Sequence, residues 1–453
     1  MRYDPIDPQF FARNRERLKR LLLPNSLAVI NANDALPTNG DGILTMVPNS
    51  DLFYLTGVEQ EQSILVLFPA AAEPKQRELL FLREPTEENQ LWEGHKLTRA
   101  EARSLTGIHE VHWLSEFPRL FHRLMCEAEH VYLNSNEHYR AVIEVESREA
   151  RFTADTLRRY PLHGYRRLAP LMHQLRMVKS ATEIELIRKA CALTGDGFAR
   201  VLKTVRPGMR EEEVEAEFAH EFIRRGSRFA YPPIVATGAN ACCLHYTANA
   251  SACGDGELLL LDVGASYANY NADMTRTIPV NGRFTARQKK VYNAVLRVLR
   301  QCTAGLVSGK KLRDWQEEAE KIIEKELVDL GLLSLRDIRQ QDADHPAFKK
   351  FFMHGVGHPL GLGVHDVALA SQPLAPGWVM TVEPGIYVCG EGFAVRLEND
   401  VLVTADGPVD LMDDIPVEAE EIEMRMAAKS WDGNGHKDGL GRNSRRRREL
   451  TFK

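Results

Sequence analysis

The sequence predicts two folded units, an α/β domain over residues 1–171 and an α+β domain over residues 172–426 in which helices cover an antiparallel sheet. Three observations predict this. The 453 residues exceed what one hydrophobic core usually serves. The first part alternates short apolar runs with helical stretches, and the second holds long capped helices among paired, strand-like runs.

In the first unit, Leu27 to Ile30, Ile64 to Phe68 and Leu79 to Leu82 read as strands, and Ala100 to Leu105 and Glu116 to Cys126 as helices. The chain turns Arg-rich and irregular from about Tyr160, which places the boundary near residue 172. A long helix then starts behind Ser180 and Glu183, spaced as a capping box. It aligns Ile187, Ala190, Cys191, Thr194, Phe198, Val201, Leu202 and Val205 on one face, the pattern of a helix lying on something flat. Further helices are predicted at Glu211 to Arg225, stopped by Gly226, at Ala286 to Leu306 behind a Thr285/Gln288 box, and at Leu312 to Leu330, stopped by Gly331. Strands are predicted at Glu257 to Tyr267, Met274 to Val280, Trp378 to Val388 and Ala394 to Val403. Residues 427–453, with the basic run Arg445 to Arg448, read as a disordered tail.

Composition narrows the function. Hydrophobic residues make up 44% and charged residues 27%, and the formal net charge is only -5, so nothing global draws the molecule to nucleic acid or to an anionic membrane. Seven scattered cysteines without C-x-x-C spacing read as reduced thiols. No segment approaches the length of a membrane span or a signal peptide, which leads to the expectation of a cytoplasmic protein.

Acidic residues sit where strands should be apolar. Asp262 follows four leucines, where an unpaired carboxylate is costly. A tight reversal at Tyr267 and Ala268 would set Asp273 directly opposite it, with Cβ atoms about 5 Å apart. Likewise, Glu383 and Glu398 are equidistant from the Gly390/Glu391 junction, where Gly390 and Gly392 suit a turn. A single such acid would be read as a partner of Arg276 or Arg396. Two symmetric pairs concentrate more like charge than a core tolerates without cations.

The remaining element is FFMHGVGHPLGLGVHD, where glycines disfavour a helix and His358 is the best ligand candidate, with His354 and His365 nearby. Four carboxylates and one imidazole suit two Mn²⁺ ions, with Co²⁺ or Zn²⁺ as alternatives. Two ions about 3.5–4 Å apart can hold a hydroxide, polarise a carbonyl and stabilise an oxyanion, which is hydrolytic chemistry.

These segments, DVG, NADMTRT, HGVGHPLGLGVHD, TVEPGIY and RLEND, resemble the pita-bread metallopeptidases, most closely the bacterial aminopeptidase P type, over about residues 10 to 426. The resemblance implies a pita-bread fold for the second unit. It also implies that Asp262 binds one metal, that Asp273 and Glu398 bridge both, and that His358 and Glu383 complete the second site, with Glu383 as general base and proton shuttle. It further assigns His245 and His365 to substrate contacts, His354 to a proline pocket, and Tyr387 and Arg396 to holding ligands in place. The implied substrates are peptides with proline in second position, and the implied assembly is a homodimer or homotetramer. Gly363 and the NGDGILTMVPNSD stretch depart from the family pattern, which leaves subunit contacts and outer subsites open. Trp92 is either a cleft residue for a neighbouring subunit or a surface-packing side chain.

An Xaa-Pro dipeptidase would share the plan and the ligands. A methionine aminopeptidase would lack the first unit, and a creatinase-like enzyme would lack ligands. A reading of another class is a non-catalytic binding protein on the same scaffold, its Arg-rich tail contacting RNA or another acidic partner.

Overall fold

The computed structural model describes residues 2–142, 144–342 and 344–428. The expected basic tail from residue 429 onward, Arg445 to Arg448 included, lies outside the described residues. The chain begins α1 Pro8–Lys19, β1 Ser26–Asn31, α2 Ser50–Thr56, β2 Ile64–Leu67, β3 Glu78–Leu82, α3 Glu87–Glu93, α4 Arg99–Thr106, β4 Glu110–Trp113, α5 Phe117–Glu127, β5 His130–Leu133, α6 Arg148–Arg159, β6 Gly164–Arg167 and α7 Ala169–Arg176. Six strands form one mixed sheet in the order β4-β3-β2-β1-β5-β6, antiparallel at β1–β2 and β2–β3 and parallel elsewhere. Both faces are covered at the centre of the sheet, so β1, β2 and β3 are mostly apolar and buried, while the edge strands β4 and β6 carry polar, partly exposed residues. Ala28, Ile30, Leu65 and Leu80 pack on Leu18 and Met172 on one side, while Leu27, Val29, Val66 and Phe81 pack on Phe121 and Leu124 on the other. Helix α7 spans the expected boundary near residue 172, and its Met172 and Leu175 pack in this first core.

The second part contains α8 Ala181–Thr204, α9 Glu211–Arg224, β7 Arg228–Phe229, β8 Ile234–Thr237, β9 Leu258–Asp262, β10 Ala265–Tyr267, β11 Tyr270–Asn271, β12 Thr275–Pro279, α10 Ala286–Ala304, α11 Leu312–Asp329 and α12 Leu335–Gln340. It continues with β13 Val379–Val382, β14 Gly385–Val388, β15 Phe393–Arg396, β16 Asn399–Thr404, β17 Gly407–Asp410 and α13 Ala419–Ala427. Both capping boxes form, Ser180 with Glu183 and Thr285 with Gln288. Gly226 and Gly331 take left-handed φ values of 71° and 72° just past their helices, a conformation cheap only for glycine. The expected flat partner of α8 is real: its apolar face is buried, it packs on β10 and β11, and Ala265 N–H donates to Thr194 Oγ1 at 2.9 Å.

The long strands differ from expectation in one systematic way. Each breaks beside an acid: β9 gives way to β10 after Asp262, β13 to β14 at Glu383 and Pro384, and β15 to β16 at Leu397 and Glu398. Pro384 has no N–H to give a ladder, and Gly264 is there because a Cβ would lie 1.8 Å from Ala272 O. All pairings in this part are antiparallel, in short sheets β8-β9-β12, β7-β10-β11, β13-β16-β17 and β14-β15.

Candidate metal centre and active site

Register decides which acids meet. Tyr267 pairs with Tyr270 and Ser266 with Asn271, so the reversal falls on Ala268 and Asn269, both at positive φ. That is one residue later than expected, so Asp262 stands opposite Thr275 rather than Asp273. A shift of two positions in the pairing preserves the face, because side chains alternate with a period of two. Asp262 and Asp273 thus remain diagonal neighbours, and Tyr231 closes the gap by donating towards both, 2.6 Å from Asp262 Oδ1 and 2.5 Å from Asp273 Oδ1.

The second hairpin keeps the expected register. Val382 pairs with Asn399 and Gly385 with Arg396, which sets Glu383 across from Glu398 between the two ladders, with the reversal around Gly390 and a left-handed Gly392. The glycine-rich segment is neither helix nor named strand, yet it runs along β13. Glu383 N–H donates to Val356 O and Thr381 N–H to His358 O, both at 2.8 Å, and His358 N–H donates to Thr381 Oγ1 at 3.0 Å. A Cβ on Gly357 would lie 2.0 Å from Thr381 O, so only glycine permits this approach.

The two hairpins and the loop bring Asp262, Asp273, His358, Glu383 and Glu398 together in the wall of one cavity of about 600 Å³, with His245, His354, His365 and Arg396 also lining it. Ligand atoms of Asp273, His358 and Glu398 lie within 4.8 Å of one another. His358 Nδ1 lies 3.0 Å from Pro359 O, which can only accept, so the proton sits on Nδ1 and Nε2 faces Asp273 Oδ2 at 3.5 Å and Glu383 Oε1 at 3.6 Å.

The electrostatics are those of crowded acids. Burial, then the charges of Asp273, Glu383 and Asp262, push the Glu398 carboxyl well up. Burial, opposed by His358 and Arg396, lifts Glu383 to about 7. Burial also raises Asp262, although Arg396 beside it pulls the other way. His358 is held down by burial but lifted more strongly by Asp273 and Glu383, reaching about 9.

Arginine pairing accounts for only one of the four acids. Arg396 Nη2 lies 2.5 Å from Asp262 Oδ2. Arg276 instead donates to Pro416 O, Thr275 O, Glu398 O and Asn399 Oδ1. Glu398 Oε2 accepts from the Thr275 hydroxyl at 2.6 Å, while Oε1 is buried without a hydrogen-bond partner among the described residues. A buried, unpartnered carboxylate oxygen among like charges fits a divalent cation, and the oxygen-rich donor set with one imidazole fits a hard or borderline ion.

A relay runs through the expected supporting residues. Arg396 Nη1 donates to Tyr387 Oη at 2.7 Å, the Tyr387 hydroxyl donates to His354 Nε2 at 2.8 Å, and His354 Nδ1 donates to Gly355 O at 2.8 Å. With both nitrogens engaged, His354 offers its ring rather than a polar atom, and burial with the nearby Arg396 charge lowers it to about 3. His365 lies against His358, ring centroids 3.9 Å apart, and burial with the His358 and Arg140 charges lowers it to about 3. His245 is exposed on the cavity rim.

Three participants escaped sequence reasoning. Tyr231 lies in SRFAYPPIV, where the two following prolines announce an extended segment but not a carboxylate partner. Asp400 accepts Asp273 N–H at 3.0 Å; its signal was RLEND, read only for Glu398. Arg140 reaches the cavity from beyond β5, and no local pattern marks it.

Comparison with known proteins identifies the family of the chain. Residues 185–405 match metallopeptidase family M24, and residues 11–132 match the aminopeptidase P N-terminal domain. An Xaa-Pro aminopeptidase of Escherichia coli is 33% identical over 444 residues, 93% of this chain and 98% of that protein. Human Xaa-Pro aminopeptidase 3 is 34% identical over 410 residues, 87% of this chain and 80% of that protein. A solved structure of zinc-substituted E. coli aminopeptidase P in complex with product superposes with a TM-score of 0.83 at 32% identity, covering 94% of this chain and 99% of that one. With the pita-bread architecture and the acid-lined cavity in place, the chain belongs to metallopeptidase family M24 and carries the aminopeptidase P N-terminal domain.

Proposed function

We propose that the protein is a metal-dependent aminopeptidase that hydrolyses the bond between an N-terminal residue and a following proline. The observation that carries this reading is the convergence of four carboxylates and His358 in one cavity, with Glu398 Oε1 left unpartnered. The relatives named Xaa-Pro aminopeptidase, matched along nearly their whole length, support the substrate class.

Asp262, Asp273, His358, Glu383 and Glu398 would hold two divalent ions, for which Mn²⁺ is our assignment. When bound, such ions supply Lewis acidity toward the scissile carbonyl and make water nucleophilic near neutral pH. The chain's own residues do the rest. Glu383, on the cavity wall beside His358, takes the proton of the attacking water on a carboxylate oxygen and passes it to the proline nitrogen as the bond breaks. An amide nitrogen leaves as an amine only when it gains a proton, and this transfer releases the proline nitrogen as a secondary amine. His354, pinned through Tyr387 by Arg396, presents a ring face to the proline, and His245 and His365 border the reacting peptide. Tyr231 and Arg396 keep the aspartates oriented, as outer partners of metal ligands do.

A cytoplasmic location is supported by exposed free thiols at Cys126, Cys243 and Cys389. No helix among the described residues is long and apolar enough to cross a membrane. A homodimer or homotetramer is supported by Leu91 and Trp92, which are 79% and 80% exposed in α3. The test is a Mn²⁺ titration of activity on paired Xaa-Pro and Xaa-Pro-Xaa peptides. Metal-dependent cleavage of the longer peptide is expected; cleavage of the dipeptide alone would mark a dipeptidase, and no cleavage of either would refute the proposal.

A further inference from the structure

We propose that Arg140 is a carboxylate anchor for the leaving portion of the substrate, so that the enzyme reads a negative charge just beyond the proline. This rests on the peptidase reading above and adds a recognition element to the same site.

Arg140 lies on the turn after β5, in the first unit, yet it reaches the catalytic cavity. Its Nη1 is 3.0 Å from Nδ1 and 3.1 Å from Nε2 of His365, and its guanidinium sits 5.4 Å from the centroid of the Tyr139 ring. No carboxylate among the described residues forms an ion pair with it, whereas Arg176, Arg167 and Arg396 nearby all have acidic partners. An arginine side chain costs conformational freedom to hold in place, and a guanidinium fork matches a carboxylate in geometry and charge.

Its position makes the missing partner a ligand group. Arg140 and His365 line both the catalytic cavity and a second cavity of about 490 Å³, whose wall includes Asn136, His138, His173 and Gly363. The two spaces therefore share a junction, and Arg140 stands at it. Polarity then sets direction. The acids at the metal centre favour the cationic amino end of a peptide, and the unpaired guanidinium favours the anionic end. From the scissile bond, a departing dipeptide of proline and one more residue reaches about 7 Å. That path runs past His358 and the ring of His365 tilted against it, toward Arg140. The carboxylate can be the C-terminus of a tripeptide or the side chain of an acidic residue after proline.

The test is calorimetric titration of the Mn²⁺-loaded protein with Pro-Leu, Pro-Leu amide and Pro-Asp amide, for wild type, Arg140→Ala and Arg140→Lys. We expect wild type to bind Pro-Leu roughly tenfold or more tightly than its amide, the scale of one charge-assisted contact. Arg140→Ala should bring that ratio to about one, Arg140→Lys should keep part of it, and raised salt should shrink it, since the group is exposed. Tight Pro-Asp amide binding assigns the side-chain source, and weak binding assigns the terminal carboxylate. Equal affinity for acid and amide in wild type, a ratio unchanged in Arg140→Ala, or no binding of any of the three peptides overturns the anchor. Cleavage of Xaa-Pro-Xaa without a carboxylate preference sinks this proposal alone, whereas preserved preference without cleavage sinks the peptidase reading alone.

Discussion

The Thr275 hydroxyl holds Oε2 of Glu398 at 2.6 Å and leaves Oε1 of the same carboxylate free of hydrogen bonds. One oxygen is thereby fixed so that the other can bind. Replacing Thr275 with Val removes the donor at nearly constant volume, and metal affinity should fall by roughly ten- to a hundredfold, the usual loss when an outer partner of a ligand is removed. Glu398→Ala should lose stoichiometric metal altogether. Chelator-competition titrations and metal analysis after dialysis measure both. Full metal retention by Glu398→Ala would show that the carboxylate is not a ligand.

Stability of the metal-free protein should depend on pH with a definite sign. His358 rises from an ordinary 6.5 to about 9, and Glu383 from 4.5 to about 7. A group that holds its proton more tightly folded than unfolded contributes stability below the unfolded value and loses it as pH climbs through the folded one. His354 and His365 go down to about 3, so they destabilise only below about 6.5 and are silent above it. Between pH 6.5 and 9 the chelated protein should thus lose on the order of 2–3 kcal/mol. Thermal melts in a chelator should show a falling Tm across that window, and His358→Gln should flatten it. A melting temperature that rises across the window in the chelated wild type would contradict the assignment.

The close approach of Gly357 to Thr381 offers a backbone test. A Cβ there meets the Thr381 carbonyl at 2.0 Å, so Gly357→Ala must push the loop off β13. Overpacking of this kind costs about 1–3 kcal/mol, and His358 moves with the loop. Peptidase activity should drop far more than stability, by at least about a hundredfold, consistent with displacement of a ligand by a fraction of an ångström to an ångström. Urea midpoints and kcat/KM on Xaa-Pro-Xaa, read side by side, separate the two effects.

Where the sequence was legible, local rules were sufficient. The capping boxes at Ser180 and Thr285 marked helix starts to the residue, and the glycine after α9 marked a stop, because caps satisfy backbone groups within a few residues. The second acid pair was legible because Gly390 and Gly392 announce the turn and thereby the register. The first pair came out shifted by one residue at the turn, because Ala268 and Asn269 adopt positive φ without a glycine to signal it. Asp262 and Asp273 still share a face despite that slip, since a change of two in the pairing keeps the face. Tyr231 and Arg140 were not legible at all. Each reaches the site through tertiary packing alone, and neither spacing nor composition encodes that.

Arg176 ties the two units together beneath the catalytic loop. Its Nη1 is 2.8 Å from Asp51 in α2, its Nη2 is 2.5 Å from Asp366, and Lys179 Nζ stands 3.1 Å from the other oxygen of Asp366. Asn134 adds a hydrogen bond to Asp51 at 2.9 Å. All these groups are buried, so the ions depend on one another: burial alone would raise Asp366, and the charges of Arg176 and Lys179 bring it below its ordinary value. Removing Arg176 as Met leaves Asp51 without its only ion pair among the described residues and Asp366 with one cation, a loss of about 3–5 kcal/mol. The consequence for function follows from adjacency, because Asp366 immediately follows His365 and anchors the loop that carries it. Arg176→Met should therefore lower the urea midpoint and raise KM for Xaa-Pro-Xaa while metal content stays stoichiometric, since no ligand touches Arg176. Asp51→Asn combined with Arg176→Met should cost less than the sum of the single changes, as coupled partners do. Strict additivity in that double-mutant cycle would mean that the two charges do not act as a pair, and the junction would then be held by packing rather than by ions.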